Sequence, residues 1–326
     1  MRKNKLVTLQ EAIQEIRDGD VLFLGSLIES RRPMAAAYEI VRQGKKGLIL
    51  LAECSLAEDI LVGSGCIAAW RGCYTGMANF GLSPATLRKI ESEELIVDDI
   101  GHVDIILGAM AAMAAMAGSP FVATRATLGS DVLNPEYSRV ERIRKAARDP
   151  QMIPTRKFIL MDDPFYGEGQ VKLQPAMKAD VAIIHVQQAG EEGTSRIEGS
   201  LAFDHYFIHA AKKVIITAEQ VVPEEYLRRD PNRNQIPCTS VDMVAELPWG
   251  AHPGQLLNFY DMDIPFLTEY VGKARTEEGF REWADSWVFG VKNHMEYLDK
   301  LGASRLEKIR ALPPFGYRPR MRGGSK

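Results

Sequence analysis

At 326 residues, with 46% hydrophobic and 25% charged residues, the chain has the composition of an ordinary soluble globular protein. A net charge of −3 and a pI near 6.1 argue against nucleic acid or an anionic membrane as the main partner. The cysteines Cys54, Cys66, Cys73 and Cys238 form neither a CxxC pair nor a framework spacing, which fits a reducing compartment.

Thr8-Leu9-Gln10-Glu11 reads as a capping box that opens a helix ending at Gly19, and it interrupts any signal-peptide core. A short apolar strand, Val21 to Leu24, stops at Gly25. Pro33 then opens an Ala-rich helix that Gly44 terminates. Leu48 to Leu51 is a second strand, and a third precedes Cys73. Further β-branched runs at Ile105–Leu107, Phe158–Leu160, Val181–Val186, Val214–Thr217 and Val241–Ala245 lack strict alternation. Runs of this kind, separated by helical stretches, indicate strands buried on both faces of a mostly parallel sheet.

The Ala/Met run at 109–117 is too short to span a bilayer and reads as a tightly packed core helix. Beyond about residue 275 the chain is helical in character. Phe280, Trp283 and Trp287 share one helix face there, turned either to the core or to a subunit interface. A basic tail follows from about residue 313. No internal repeat or linker divides the chain, so the expectation is one α/β domain over 1–326 with a helical C-terminal extension, located in the cytoplasm.

In open parallel sheets, ligands collect at the carboxyl ends of the strands. The first such end offers Gly25, Ser26, Leu27, Ser30, Arg31 and Arg32; the second Glu53, Cys54 and Ser55; the third Cys73, Tyr74, Thr75 and Gly76. Gly25 permits close backbone approach, and the N–H groups of residues 25 to 27 are candidates for an oxyanion hole. The alternative is a glycine needed only for a turn. Arg31 or Arg32 beside a helix start is a candidate anion site. Glu53 is a candidate acid, base or nucleophile. His185 sits inside a strand and reads as a hydrogen-bonded core residue, while Gln187 is able to hold a carboxylate or amide. Asp204-His205 with His209 suggests a metal site only weakly, for want of a third ligand, so none is assigned. The absence of a P-loop, a GxGxxG motif and a nucleophile elbow withdraws the usual support for nucleotide hydrolysis, hydride transfer and Ser-His-Asp catalysis.

Arg31-Arg32-Pro33 with Glu39-Ile40-Val41-Arg42-Gln43-Gly44, Cys73-Tyr74-Thr75 and Ala179-Asp180-Val181-Ala182-Ile183-Ile184-His185 carry a resemblance over nearly the whole chain. So do Arg228-Arg229-Asp230-Pro231, Pro248-Trp249-Gly250-Ala251-His252-Pro253 and Glu296-Tyr297-Leu298-Asp299-Lys300-Leu301-Gly302-Ala303. In order and spread these segments resemble the α (A) subunit of glutaconate-type, class I CoA-transferases. The resemblance implies an open α/β/α sandwich, like that of sugar-phosphate isomerases, paired with a homologous β (B) subunit that carries the catalytic glutamate.

It further implies an acyl-CoA thioester as substrate, with no permanently bound cofactor, and CoA moved between (di)carboxylic acids through a glutamyl-CoA thioester. Gly25 and Ser26 would then stabilise the oxyanion through backbone N–H groups. Leu27, Ser30, Arg31, Tyr74, Thr75 and Gln187 would line the substrate site. The family's Gly-Gly-Phe loop is Gly25-Ser26-Leu27 here, which adds a Cβ and a hydroxyl and removes an aromatic ring. The same scaffold also resembles ring-opening, C–C-cleaving hydrolases and decarboxylases of acyl-CoA esters, for which Glu53 or Asp104 would supply a carboxylate. A non-catalytic acyl-CoA-binding subunit is the third reading.

Overall fold

The short apolar runs form strands because their β-branched and leucine side chains are sequestered on both sheet faces; Val21–Leu24 and Leu48–Leu51 are buried at every position. The structure is a computed structural model and describes residues 4–114 and 119–319. Its strands, in chain order, begin with β1 (Val21–Leu24), β2 (Leu48–Leu51), β3 (Ile67–Gly72), β4 (Ile96–Asp99), β5 (Phe121–Thr124) and β6 (Ile159–Asp162). They continue with β7 (Gln170–Pro175), β8 (Ala179–Ala189), β9 (Ser195–Arg196), β10 (Ala211–Val221) and β11 (Met243–Glu246). The main sheet runs β11-β10-β8-β1-β2-β3-β4, every neighbouring pair parallel, and β9 joins β8 antiparallel.

Helices α1 (Leu9–Gln14), α2 (Met34–Arg42), α3 (Leu56–Gly63) and α4 (Pro84–Glu91) cover one face of the sheet. Both arms of the capping box at α1 are formed: Thr8 N–H donates to Glu11 Oε2 at 2.8 Å and Glu11 N–H to Thr8 Oγ1 at 3.2 Å. The opposite face holds α5 (His102–Ala114), α6 (Val140–Ala146) and α7 (Asp204–Ala210), with Phe207 stacked on Phe23 at 4.0 Å between ring centroids. After α8 (Glu224–Arg228), the C-terminal helices α9 (Ile264–Lys273), α10 (Glu277–Ala284), α11 (His294–Leu301) and α12 (Ala303–Ile309) pack onto the first core.

Phe280 and Trp283 are 3% and 1% exposed, and Trp287 packs against Phe266 at 4.8 Å, so the aromatic stripe serves the chain's own core. Two expectations are corrected. Ile105–Leu107 lies inside α5, because the Ala-rich run that follows continues the same helix. Phe158–Leu160 falls at β6, which belongs to a separate antiparallel sheet, β5-β7-β6. Residues 115–117 of the Ala/Met run, and Arg320, Arg322 and Lys326 of the basic tail, lie outside the described residues.

Candidate functional site

From β1 the neighbours diverge: β2, β3 and β4 extend to one side, and β8, β10 and β11 to the other. The loop from Gly25 to Pro33 leaves β1 at this switch point, where open α/β sheets place their ligands.

The loop is held by its two arginines, both 2% exposed. Arg31 Nη1 donates to His185 O and to Asp204 Oδ2, each at 2.9 Å, and its Nη2 donates to Ser200 O at 2.7 Å. Arg32 Nη1 donates to Leu24 O at 3.0 Å and to Glu58 Oε1 at 2.8 Å. Its Nη2 reaches Glu53 Oε2 at 3.1 Å and its Nε the carbonyl of Ile28 at 2.7 Å. Each guanidinium therefore has its charge compensated by carboxylates of the same chain. Burial of these ions is tolerable only because the hydrogen bonding is this complete.

The N–H groups of Gly25 and Ser26, the expected oxyanion donors, are both engaged within the chain. Gly25 N–H donates to Ile183 O at 2.8 Å, continuing the sheet, and Ser26 N–H donates to Asp204 Oδ1 at 2.6 Å. Ile28 N–H donates to Glu53 Oε2 at 3.2 Å. Gly25 does serve close approach: a Cβ there would stand 2.8 Å from Asp204 Oδ1 and 2.9 Å from Ile184 Cγ1. Ser26, Ile28 and Arg31 hold φ of 97°, 50° and 55°, a run of left-handed backbone at residues with side chains. Such conformations cost about 1–3 kcal/mol each and persist only where the surroundings over-determine them. Here the arginine bonds do so, together with the segment that follows Gly250: Arg31 N–H donates to Gln255 O at 2.8 Å and Gln255 N–H to Glu29 O at 3.0 Å.

The other candidates divide. Glu53, at the end of β2, meets the loop through Ile28 and Arg32 and is 3% exposed. Tyr74, 37% exposed, and half-buried Thr75 follow β3 on a segment bridged to Cys54. Leu27 and Ser30, both half-buried, complete the outer surface of the loop. Three of the expected residues have their polar groups engaged within the chain. Arg31 is occupied as described. Gln187 Nε2 donates to Glu198 O at 3.0 Å and to Leu257 O at 3.3 Å, and its Oε1 accepts from Glu198 N–H at 3.0 Å. Asp104 pairs with the fully buried Lys172 and accepts from Thr127 Oγ1 at 3.3 Å, tying α5 to β7. His185 is wholly buried, with Nδ1 at 3.0 Å from Thr217 Oγ1, as a core histidine should be. Among the described residues, no group of three or more His, Cys, Asp or Glu could hold a metal ion.

Two residues were not assigned to this loop from the sequence. Asp204 is the partner of both Arg31 and Ser26, yet lies 173 residues from Arg31, and no local pattern links them. Glu29 is 4% exposed, and burial pushes its carboxyl up to about 7 although Arg32 and Ser55 oppose the shift. Beside Glu53, Cys73 lies 3.3 Å from His102 Nδ1. Burial, then the Glu53 and Asp99 charges, push its thiol up to about 12, which makes it a poor nucleophile.

A parallel sheet with a switch-point loop closed by internal ion pairs defines an α/β protein of the open-sheet class, with its ligand surface at the strand ends. Residues 6–247 match the coenzyme A transferase family model. The chain is 38% identical to the A subunit of glutaconate CoA-transferase from Acidaminococcus fermentans over 319 residues, 96% of this chain and 97% of that one. Its identity to the A subunit of 3-oxoadipate CoA-transferase from Pseudomonas knackmussii is 30% over 307 residues, 92% and 99% of the two chains. The crystal structure of the A. fermentans glutaconate coenzyme A-transferase superposes with a TM-score of 0.90 at 37% identity, covering 97% of this chain and 99% of that one.

This chain belongs to the coenzyme A transferase family, on its A-subunit side. These relatives favour transfer over the hydrolase, decarboxylase and non-catalytic readings. Among the described residues, no helix is long and apolar enough to cross a membrane.

Proposed function

We propose that this chain is the A subunit of a heteromeric enzyme that moves CoA between carboxylic acids, with a B-subunit glutamate as nucleophile. In this reading the partner's carboxylate attacks the acyl-CoA carbonyl and expels CoA thiolate, leaving an acyl-glutamyl anhydride. The thiolate returns to the glutamyl carbonyl and releases the first acid, forming a glutamyl-CoA thioester; the second acid then reverses the sequence. Division into steps of this kind lowers each barrier.

The observation that carries the reading is the pairing of the carboxylates that meet the Gly25–Pro33 loop. Glu53 and Asp204 are held by Arg32 and Arg31, and a carboxylate engaged by a guanidinium is a weak nucleophile. This chain then contributes a shaped wall. Leu27 and Ile28 present apolar surface to the acyl group, and Tyr74 flanks it from the end of β3. Arg31, Asp204 and Gln187 act as positioning residues. The Gly25–Pro33 loop and the C-terminal helices work as parts of one domain. Shorter Leu27 in place of an aromatic residue widens the acyl site, so a dicarboxylic acid other than glutaconate is within its range.

The test is co-purification with the B subunit followed by exchange of isotope-labelled acids against their CoA esters. Label must appear in the ester only when an acceptor acid is present. Consumption of the ester without an acceptor would reject transfer.

A further inference from the structure

The carboxyl edge of the sheet carries a second feature, outside the loop just described. β8 outruns β1: Leu24 pairs with Ile183, whereas β8 continues to Ala189. Past the end of β1 its place beside β8 passes to β9, with Gln188 opposite Arg196, while β10 accompanies β8 as far as Val221 opposite Ala189. A ledge therefore projects from the sheet. The Gly25–Pro33 loop sits at its foot, where Arg31 bonds His185 O.

On this ledge Arg196, Tyr226, Arg229, Asp230 and Arg233 line a cleft of about 290 Å³. Arg196 is 2% exposed. Its Nε donates to Asn234 Oδ1 at 2.8 Å, its Nη2 to the carbonyls of Leu227 and Asp230 at 3.0 and 3.2 Å, and its guanidinium lies 5.1 Å from the centre of the Tyr226 ring. That ring is 46% exposed. Arg233 pairs with Glu198 at 2.6 Å and stands 3.9 Å from Asp230. Arg229 is exposed, and among the described residues no acceptor contacts its side chain. Three guanidinium groups thus face two carboxylates, beside an aromatic ring braced by one of the three. A planar base stacks on such a ring, and phosphate oxygens match free guanidinium donors bidentately.

We propose that this cleft binds the phosphorylated adenosine end of the acyl-CoA, an assignment that rests on the transferase reading above. Tyr226 carries the base, and Arg229 holds phosphate. His185 and Gln188 are three residue steps apart on β8, a rise of about 10 Å. The flexible pantetheine arm bridges that interval with ease. The segment Gln255–Asn258 touches both regions: Ser30 is bridged to Gln255, and Asn258 Nδ2 donates to Glu198 Oε2 at 3.3 Å.

The experiment uses the complex of this chain with its B subunit. Adenosine 3′,5′-bisphosphate is titrated by calorimetry into the wild type, Arg229→Ala and Tyr226→Ala, both changes falling at exposed positions. Kinetics are then measured with an acyl-CoA and with the same acyl group on pantetheine, which lacks the nucleotide. Each substitution is expected to weaken bisphosphate binding about tenfold, the worth of one charge-assisted or stacking contact. KM for the acyl-CoA rises equally, and turnover of the acyl-pantetheine is unchanged. No bisphosphate binding by the wild type, or binding equal in all three proteins, overturns the proposal. So does equal impairment with both substrates. If transfer is not the reaction, the calorimetric comparison still decides whether the cleft binds the nucleotide.

Discussion

Removal of the Asp204 carboxylate should loosen the whole switch-point loop. Asp204 is fully buried and accepts from Arg31 Nη1 at 2.9 Å and from Ser26 N–H at 2.6 Å. Breaking one side of a buried ion pair costs about 3–5 kcal/mol, because the remaining charge is left without compensation. A buried amide that loses its acceptor costs about 1–3 kcal/mol more. Asp204→Asn keeps one acceptor oxygen, so its expected loss is near ~3 kcal/mol. Asp204→Leu loses both interactions and should approach about 5 kcal/mol or more. The double variant Arg31→Met/Asp204→Leu leaves no orphaned ion and should be more stable than Asp204→Leu alone, with a coupling energy of about 2 kcal/mol or larger. Urea unfolding followed by both far-ultraviolet dichroism and tryptophan fluorescence checks this, provided the two probes coincide. Asp204→Asn within about 0.5 kcal/mol of wild type, or additive single changes, would refute the reasoning.

Ser26→Gly relieves a φ of 97° and should raise stability by about 1 kcal/mol, read as an increase in Tm. Gly25→Ala drives a Cβ to 2.8 Å from Asp204 Oδ1; an expected loss of about 1–3 kcal/mol, with impaired acyl transfer, is measured by unfolding and steady-state rates. Trp283→Ala empties a core position 1% exposed and should cost about 3–5 kcal/mol while leaving affinity for the B subunit unchanged in sedimentation.

The Glu29 carboxyl, raised by burial to about 7, binds its proton more tightly in the folded chain than in the unfolded one. Its stabilising effect is therefore complete below the ordinary carboxyl range and is lost as pH rises toward and through 7. Glu29→Gln should flatten that fall, by at most about 3 kcal/mol between roughly pH 4.5 and 8, in parallel urea titrations.

Much of the sheet was legible because β1 and β2 are apolar throughout and β8, β10 and β11 each contain a short buried apolar run, the mark of strands covered on both faces. The same criterion misread Ile105–Leu107, since a three-residue apolar run fits a buried helix as well as a strand. It also passed over β5 and β7, whose exposed and alternating positions are those of a small peripheral sheet. At the site, the sequence pointed to an anion beside Arg31-Arg32. There are anions there, but they are Asp204, Glu53 and Glu58 of the chain itself. Glu53 and Glu58 come from the next strand and helix. Asp204 was visible only as the neighbour of His205, where it suggested a metal. Ion pairs across such separations depend on the tertiary fold, and nothing in local spacing encodes them.

The central claim is that this chain shapes the pocket while the B subunit supplies the covalent nucleophile. Mass spectrometry of the complex after brief exposure to an acyl-CoA, with and without borohydride or hydroxylamine, tests it directly. A CoA-sized adduct confined to one glutamate of the B subunit, and lost on either treatment, is the predicted result. An adduct on this chain, or steady turnover with no adduct on either protein of the pair, would contradict the account.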